Sequence, residues 1–176
     1  MTGEPDFQPT LIGDTVILQP TVEEDWAEMF ALASDPLIWE LHPAHDRWQE
    51  GVFAKFFDDA LASGGGLTIR DKASGAIIGA SRYSTRWAGE GEVEIGWTFL
   101  SRAYWGGATN REVKALMLAH AHRWFATCLF MVGKDNLRSR RAMEKIGGVL
   151  RDDTRIHDMD GVPVTHVMYA IHRPAT

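Results

Sequence analysis

The chain has 176 residues, 45% of them hydrophobic and 24% charged, and carries a net charge of −6 at neutral pH. That length suits one domain, read here as residues 1–176, burying roughly two thirds of its unfolded surface, and the acidic balance fits an amine-bearing partner while arguing against a nucleic-acid binder, which presents a basic face to phosphates. No apolar run approaches the roughly 20 residues of a bilayer span, the opening MTGEPDFQPT lacks the regions of a signal peptide, and a lone Cys128 excludes an internal disulfide and points to a reducing, cytoplasmic setting.

In chain order, Thr15 to Leu18 read as a first strand closed by Pro20. Thr21 followed by Glu23, Glu24 and Asp25 is a helix-start signal, because carboxylates favour the positive end of the helix dipole. Trp26, Met29, Phe30 and Ala33 then keep helical spacing until Asp35-Pro36 stops the run. Trp39 to His45 is irregular. A second helix is expected from about Asp46, with Val52, Phe53, Phe56, Phe57 and Ala60 on one side, broken at Gly64-Gly65-Gly66. Leu67 to Arg70 and Ala76 to Tyr83 are short strands joined at Ser74-Gly75, and Arg86 to Gly91 is a polar turn.

Glu92 to Leu100 forms the next strand, and Gly106-Gly107 then precedes an amphipathic helix. Val113, Leu116, Met117, His120, Ala121 and Trp124 make its apolar stripe, and Thr109 with Glu112 matches a capping box. Leu129 to Val132 is a strand, Asn136 an N-cap for a helix through Ile146, and Gly147 its stop. Val149 to Ile156 and Pro163 to Ile171 close the chain as strands across an Asp160-Gly161 turn. The sum is α+β: a mostly antiparallel mixed sheet of about seven strands with about four helices on its faces.

One stretch carries chemistry. A glycine turn between a strand and a helix leaves backbone N–H groups pointing outward at the positive end of a helix dipole, a ready site for a phosphate. Gly106 and Gly107 also serve as an ordinary turn. Asn136 and Ser139 are at home in a helix cap, and Glu94 shares a strand face with Glu92 and Gly96, so it reads either as solvent-facing or as a base. The seven histidines make no metal site: His120 and His122 face apart on their helix, and His157 with Asp158 and Asp160 shapes a hairpin turn. No metal is expected.

The pieces E-I-G-W (Glu94 to Trp97), A-Y-W-G-G (Ala103 to Gly107) and N-x-x-S-x-x-x-x-E-K-x-G (Asn136, Ser139, Glu144, Lys145, Gly147) resemble the GNAT N-acetyltransferase superfamily. The branch they are most similar to contains the ribosomal-protein alanine acetyltransferases RimJ and RimL. The resemblance implies acetyl-CoA as donor, its pantetheine arm between two splayed central strands and its pyrophosphate on the turn before the long helix. An amine attacks the thioester directly. Three positions depart from the family pattern: Ala103 stands where the pyrophosphate turn usually has Gln or Arg, and Asn110 and Arg111 replace small residues after it.

On that resemblance, Trp105, Gly106, Gly107, Ala108 and Thr109 supply amides to the pyrophosphate. Amides near Trp97, Thr98 and Phe99 polarise the thioester carbonyl, and Asn136 orients the pantetheine or the amine. Glu94 takes the proton from the ammonium, because a protonated amine has no lone pair, and Ser139 protonates the departing thiolate. Trp39 and Trp48, flanking the irregular stretch, and Tyr83 are candidates to line the acceptor pocket, with Tyr104 a further lining residue. The acceptor is a protein N-terminus or a small amine, the protein a monomer or homodimer. The alternative is a catalytically silent acyl-CoA-binding sensor of the same fold.

Overall fold

The computed structural model describes residues 3–159 and 161–175. Its sheet has eight strands in the order β1-β2-β3-β4-β5-β6-β8-β7. These are β1 (Leu11–Ile12), β2 (Val16–Pro20), β3 (Gly66–Asp71), β4 (Ile77–Ser84), β5 (Glu92–Leu100), β6 (Thr127–Gly133), β7 (Val149–Met159) and β8 (Val162–His172). The strand beyond the expected seven is β1, whose two residues are too few to show alternation. The α-helices among the described residues are α1 (Trp26–Ala33), α2 (Glu50–Ala62), α3 (Thr109–Ala121) and α4 (Leu137–Lys145).

Neighbouring strands pair antiparallel except β5 and β6, which run parallel. Their pairing covers only Glu92–Glu94 against Thr127–Leu129, although β5 continues to Leu100 and β6 to Gly133. Beyond that register the two strands diverge, and the sheet opens into a V at its centre.

Two apolar clusters pack against the sheet. One gathers Tyr83, Val93, Ile95, Val113, Met117 and Phe130, around α3. The other gathers Met29, Trp39, Phe53, Phe56, Phe57 and Phe99, around α1 and α2. Phe53 meets Trp39, Phe56 and Phe99 with ring centroids 6.4, 5.4 and 5.9 Å apart. Such aromatic pairs contribute about 0.5–1.5 kcal/mol each beyond area burial, so this wall of the V is stiff.

Three local expectations shift. The acidic run after Thr21 forms a 3-10 turn over Glu23–Asp25 that feeds α1, with the Asp25 carboxylate accepting from Val22 N at 3.2 Å. The helix expected from Asp46 begins at Glu50, because residues up to Gln49 turn irregularly and Gln49 is extended. The β7–β8 turn is made by Gly161, at φ +82°, whose N–H donates to Asp158 Oδ1; Asp160 lies outside the described residues. Among the described residues no helix is long and apolar enough to cross a membrane, and no group of three or more His, Cys, Asp or Glu could hold a metal ion.

Candidate active site

The V is shaped by a bulge in β5. Ala80 pairs with Phe99 and Arg82 with Gly96, so Trp97 and Thr98 together stand opposite Ser81. Trp97 takes φ +52°, the left-handed region, alone among non-glycine residues described. A bulky residue there is strained, and such strain gathers at functional sites. The extra residue also reverses the strand's alternation. Val93 and Ile95 face the α3 cluster, whereas Trp97 and Phe99 pack with the α1–α2 cluster. Thr98 is thereby turned toward α3.

Between the diverging strands lies a cavity of about 240 Å³. Ile95 to Leu100 of β5 and Phe130 to Gly133 of β6 form its sides, with Asn110 and Lys114 of α3 and Asn136 and Ser139 of α4. Trp39, His42 and Pro43 close it from the irregular segment. Gly133 holds that closure: a Cβ there would come within 2.6 Å of Pro43.

At the mouth, Trp105 Nε1 donates to Leu100 O at 2.9 Å, pinning the turn to the end of β5. Gly106 follows at φ +70°, with open space where a Cβ would stand. Trp105 and Gly106 line the cavity, whereas Gly107, Ala108 and Thr109 do not; Gly107 and Ala108 are exposed and Thr109 is half-buried. The expected Thr109–Glu112 capping box does not form. Ala108 is the N-cap and no side chain caps α3, because Glu112 instead accepts from Thr15 N (2.8 Å) and Thr15 Oγ1. The first-turn N–H groups of α3 therefore stay free of side-chain partners, as an anion site requires.

Asn136 caps α4: its Oδ1 accepts from Ser139 N at 3.2 Å, and it is 4% exposed. The structural explanation of this residue is thus realised, and it lines the cavity as well.

Glu94 is 3% exposed, and its Oε2 has no hydrogen-bond partner. Its carboxylate leans over Gly96, where a Cβ would lie 2.9 Å from Oε1. Gly96 is a cavity residue, so the absent side chain is what leaves room for the carboxylate beside the cleft. Burial pushes the Glu94 pKa up to about 7, against the opposing pull of Arg155 and Arg82. A carboxylate with that value accepts a proton near neutral pH and can release it again.

The family described as the Acetyltransferase (GNAT) domain matches residues 15–149. The chain belongs to the GNAT acetyltransferase family. It is an N-acetyltransferase, of a family that uses acetyl-CoA. A comparison with curated proteins finds no match. Among solved structures, a probable GNAT acetyltransferase from Chromobacterium violaceum is similar at TM-score 0.80 and 22% identity, over 96% of this chain and 87% of that one. The Microcin C7 self-immunity acetyltransferase MccE, in complex with acetyl-CoA and AMP, is similar at 0.74 and 13%, over 96% and 99%. Mycobacterium smegmatis RimJ, in complex with CoA-disulfide, is similar at 0.66 and 17%, over 89% and 81%. These likenesses show the shared fold.

Two expected pocket residues of this acetyltransferase lie elsewhere. Tyr83 is 2% exposed in the α3 cluster, and its hydroxyl donates to Met117 O at 2.7 Å. Alternation along β4 sends it to the face opposite Arg82. Trp48 is 41% exposed and does not line the cavity, because the chain is still irregular there and turns the indole outward. Trp39 does line it, anchored by Nε1 donating to Ala33 O at 2.8 Å. Tyr104 is there too.

The largest omission from the sequence reading is Lys114. It is 2% exposed, and its Nζ donates to Thr98 Oγ1 at 2.5 Å, with Thr98 Oγ1 in turn 2.8 Å from Ser81 Oγ. Burial lowers its pKa to about 7. The signal was present: a lysine inside the apolar stripe between Val113 and Met117. His42 was missed as well. Its Nδ1 accepts from Ala44 N at 2.9 Å, and burial beside Arg47, His166 and Arg138 lowers its pKa to about 3, leaving a neutral imidazole at the cavity wall. Arg138 stacks over Trp105 at 4.0 Å and donates to Ile38 O, tying α4 to the mouth.

Proposed function

We propose that the chain transfers an acetyl group from acetyl-CoA to a primary amine by direct attack, without a covalent enzyme intermediate. The observation that carries this reading is the buried, unpartnered Glu94 carboxylate beside Gly96, at the point where β5 and β6 separate. The uncapped start of α3 supports a pyrophosphate at Gly106 to Thr109. The gap between β5 and β6 has the shape for a pantetheine arm, which would run past Trp97, Thr98 and Phe99 with Asn136 alongside. An N–H freed by the β5 bulge is the group to polarise the thioester carbonyl.

In this reading Glu94 removes a proton from the ammonium. The nitrogen forms its bond to the acyl carbon and sheds its second proton as the amide forms, the carbon–sulfur bond breaks, and Ser139 gives its hydroxyl proton to the thiolate while taking up the one the nitrogen sheds. Trp39 walls the acceptor side. The likeness to RimJ supports placing the chain near the RimJ/RimL branch, with a protein N-terminus or a small amine as acceptor. The lone buried thiol of Cys128 supports a cytoplasmic setting.

The test is acetyl-CoA itself. At a concentration about 100 times Kd it should add roughly 2.7 kcal/mol of stability, and amine-dependent release of free thiol should follow. An unchanged Tm at millimolar acetyl-CoA sinks the reading. Binding without thiol release, across a broad amine panel, would leave a silent acyl-CoA-binding domain.

A further inference from the structure

On the α1–α2 side of the sheet, near Glu94 and Phe56, three arginines form no ion pair among the described residues. Arg82 of β4 is 5% exposed, its guanidinium 4.7 Å from the Trp97 ring and 5.7 Å from the Phe56 ring. One nitrogen, Nη2, donates to Phe56 O at 3.2 Å, while the buried Nε has no partner. Arg155 of β7 repeats the pattern: Nη2 donates to Trp87 O at 3.1 Å, and the buried Nε has none. Arg47 lies over Phe56 at 4.5 Å. None of these three arginines forms an ion pair among the described residues, where the pairs fall instead on Arg70, Arg102 and Arg151.

Of these three, Arg82 and Arg155 lie near Glu94, which satisfies neither. Arg82 and Arg155 both act on its titration, yet Glu94 Oε2, Arg82 Nε and Arg155 Nε are all buried without a hydrogen bond. An unpartnered buried polar atom costs stability, and more when charged. Three in one cluster describe a site built to be completed by something that both donates and accepts. A simple amine would satisfy only the carboxylate. An ammonium on Glu94 together with an anion on the guanidiniums would satisfy all three, and Arg recognises carboxylate and phosphate through its planar fork.

We infer that the acceptor is a small amine bearing an anionic group close to its nitrogen, a carboxylate or a phosphate, which Arg82 and Arg155 hold while Glu94 receives the ammonium. This rests on the acetyltransfer reading above and narrows its acceptor. The same argument disfavours a protein N-terminus, whose first carbonyl is neutral.

The experiment measures thiol release from acetyl-CoA with matched acceptors. These are α-amino acids, their amides, an aminoalkyl phosphate, and peptides with the same first residue. At least one anionic amine should exceed its neutral counterpart tenfold or more in kcat/KM, and the carboxylate and phosphate arms identify which anion is taken. R82Q, with R82K as a milder variant against misfolding, should bring the acid-to-amide ratio toward one. A loss acting only through Glu94 would lower acid and amide alike and leave that ratio unchanged. Equal rates for acid and amide, faster turnover of peptides, or an unaltered ratio in a folded R82Q would overturn the inference. So would acetyl-CoA binding with no turnover of any anionic amine, whereas failure of acetyl-CoA to bind would strike the acetyltransfer reading itself.

Discussion

Two buried carboxylates lie on the α1–α2 side of this sheet, each 3% exposed, and they are treated in opposite ways. Asp25 has every need met: Arg70 Nη2 donates to Oδ1 at 2.5 Å, and Thr68 Oγ1 and Val22 N donate to Oδ2 at 2.7 and 3.2 Å. Glu94 stands near two arginines, and its Oε2 receives a hydrogen bond from neither. Saturation is how a fold uses a buried charge to fasten elements, here the start of α1 to β3. Leaving the charge short of partners costs stability, and the return is a group free to exchange a proton. The contrast separates a structural carboxylate from the one proposed as the base more sharply than burial does.

The largest effect should come from the saturated side. D25A leaves the Arg70 guanidinium, Thr68 and Val22 N without their acceptor, and breaking a buried pair in this manner costs about 3–5 kcal/mol. Chemical denaturation should show that loss as a lowered midpoint with an unchanged slope. A D25A protein of wild-type stability would remove the basis of the contrast.

Lys114 extends the comparison to a cation. Its folded pKa, about 7, lies below the ordinary 10.5, with burial as the cause. Between those values the unfolded chain holds a proton that the native state has shed, so stability rises with pH across pH 7 to 10.5, and the penalty is full at pH 7 and below. K114M should therefore raise stability by several kcal/mol at pH 6, with the gain vanishing near pH 10.5. Activity should fall in the same variant, since Nζ and Thr98 face the cleft. A stability gain that ignores pH would mean the lysine is charged and solvated in the native state.

For Glu94 the sign is reversed. Its folded pKa, about 7, lies above the ordinary 4.5. Between those values the native state keeps a proton that the unfolded chain has lost, so stability falls as pH rises through that window and the penalty is full above pH 7. E94Q should be more stable than the parent by roughly 3 kcal/mol at pH 8 and equal to it below pH 4.5. It should also lose about 10² or more in kcat/KM, while the parent's own rate declines as pH drops below 7 and Glu94 protonates. That rate loss should shrink as pH approaches the pKa of the acceptor amine, where free amine is already present. A loss independent of pH, with CoA binding intact, would reassign Glu94 to positioning.

The residues of the proposed donor half were legible in the sequence, and those of the proposed acceptor half largely were not. Gly106, the start of α3, Asn136 and Ser139 are consecutive signals within one strand–turn–helix or one helix cap, so local chemistry declares them. The β5 bulge left no mark, because nothing about Trp97 announces a positive φ. Strict alternation from Glu92 correctly placed Glu94 beside Gly96, then failed beyond Trp97. The arginines near Glu94 come from β4 and β7, and only the folded sheet brings them together. The same distance misled the reading of Tyr83, whose strand was recognised but whose face was set by parity against β5.

The smallest effect belongs to Ser139, where structural and catalytic duties can be pulled apart within one residue. Its backbone N–H donates to Asn136 Oδ1, and that bond survives S139A, so stability should stay within ~0.5 kcal/mol of the parent. N136A removes the cap itself and should cost about 1 kcal/mol. The Ser139 hydroxyl lines the cleft and serves as the proposed acid toward the thiolate. A free thiol has a pKa near 8.5, so it departs tolerably unaided, and S139A should lower kcat by about tenfold, less than E94Q does. The check is an acyl donor with a more acidic thiol: the S139A defect should shrink while the E94Q defect does not. If both shrink together, thiolate departure limits both variants and the division of labour between base and acid fails.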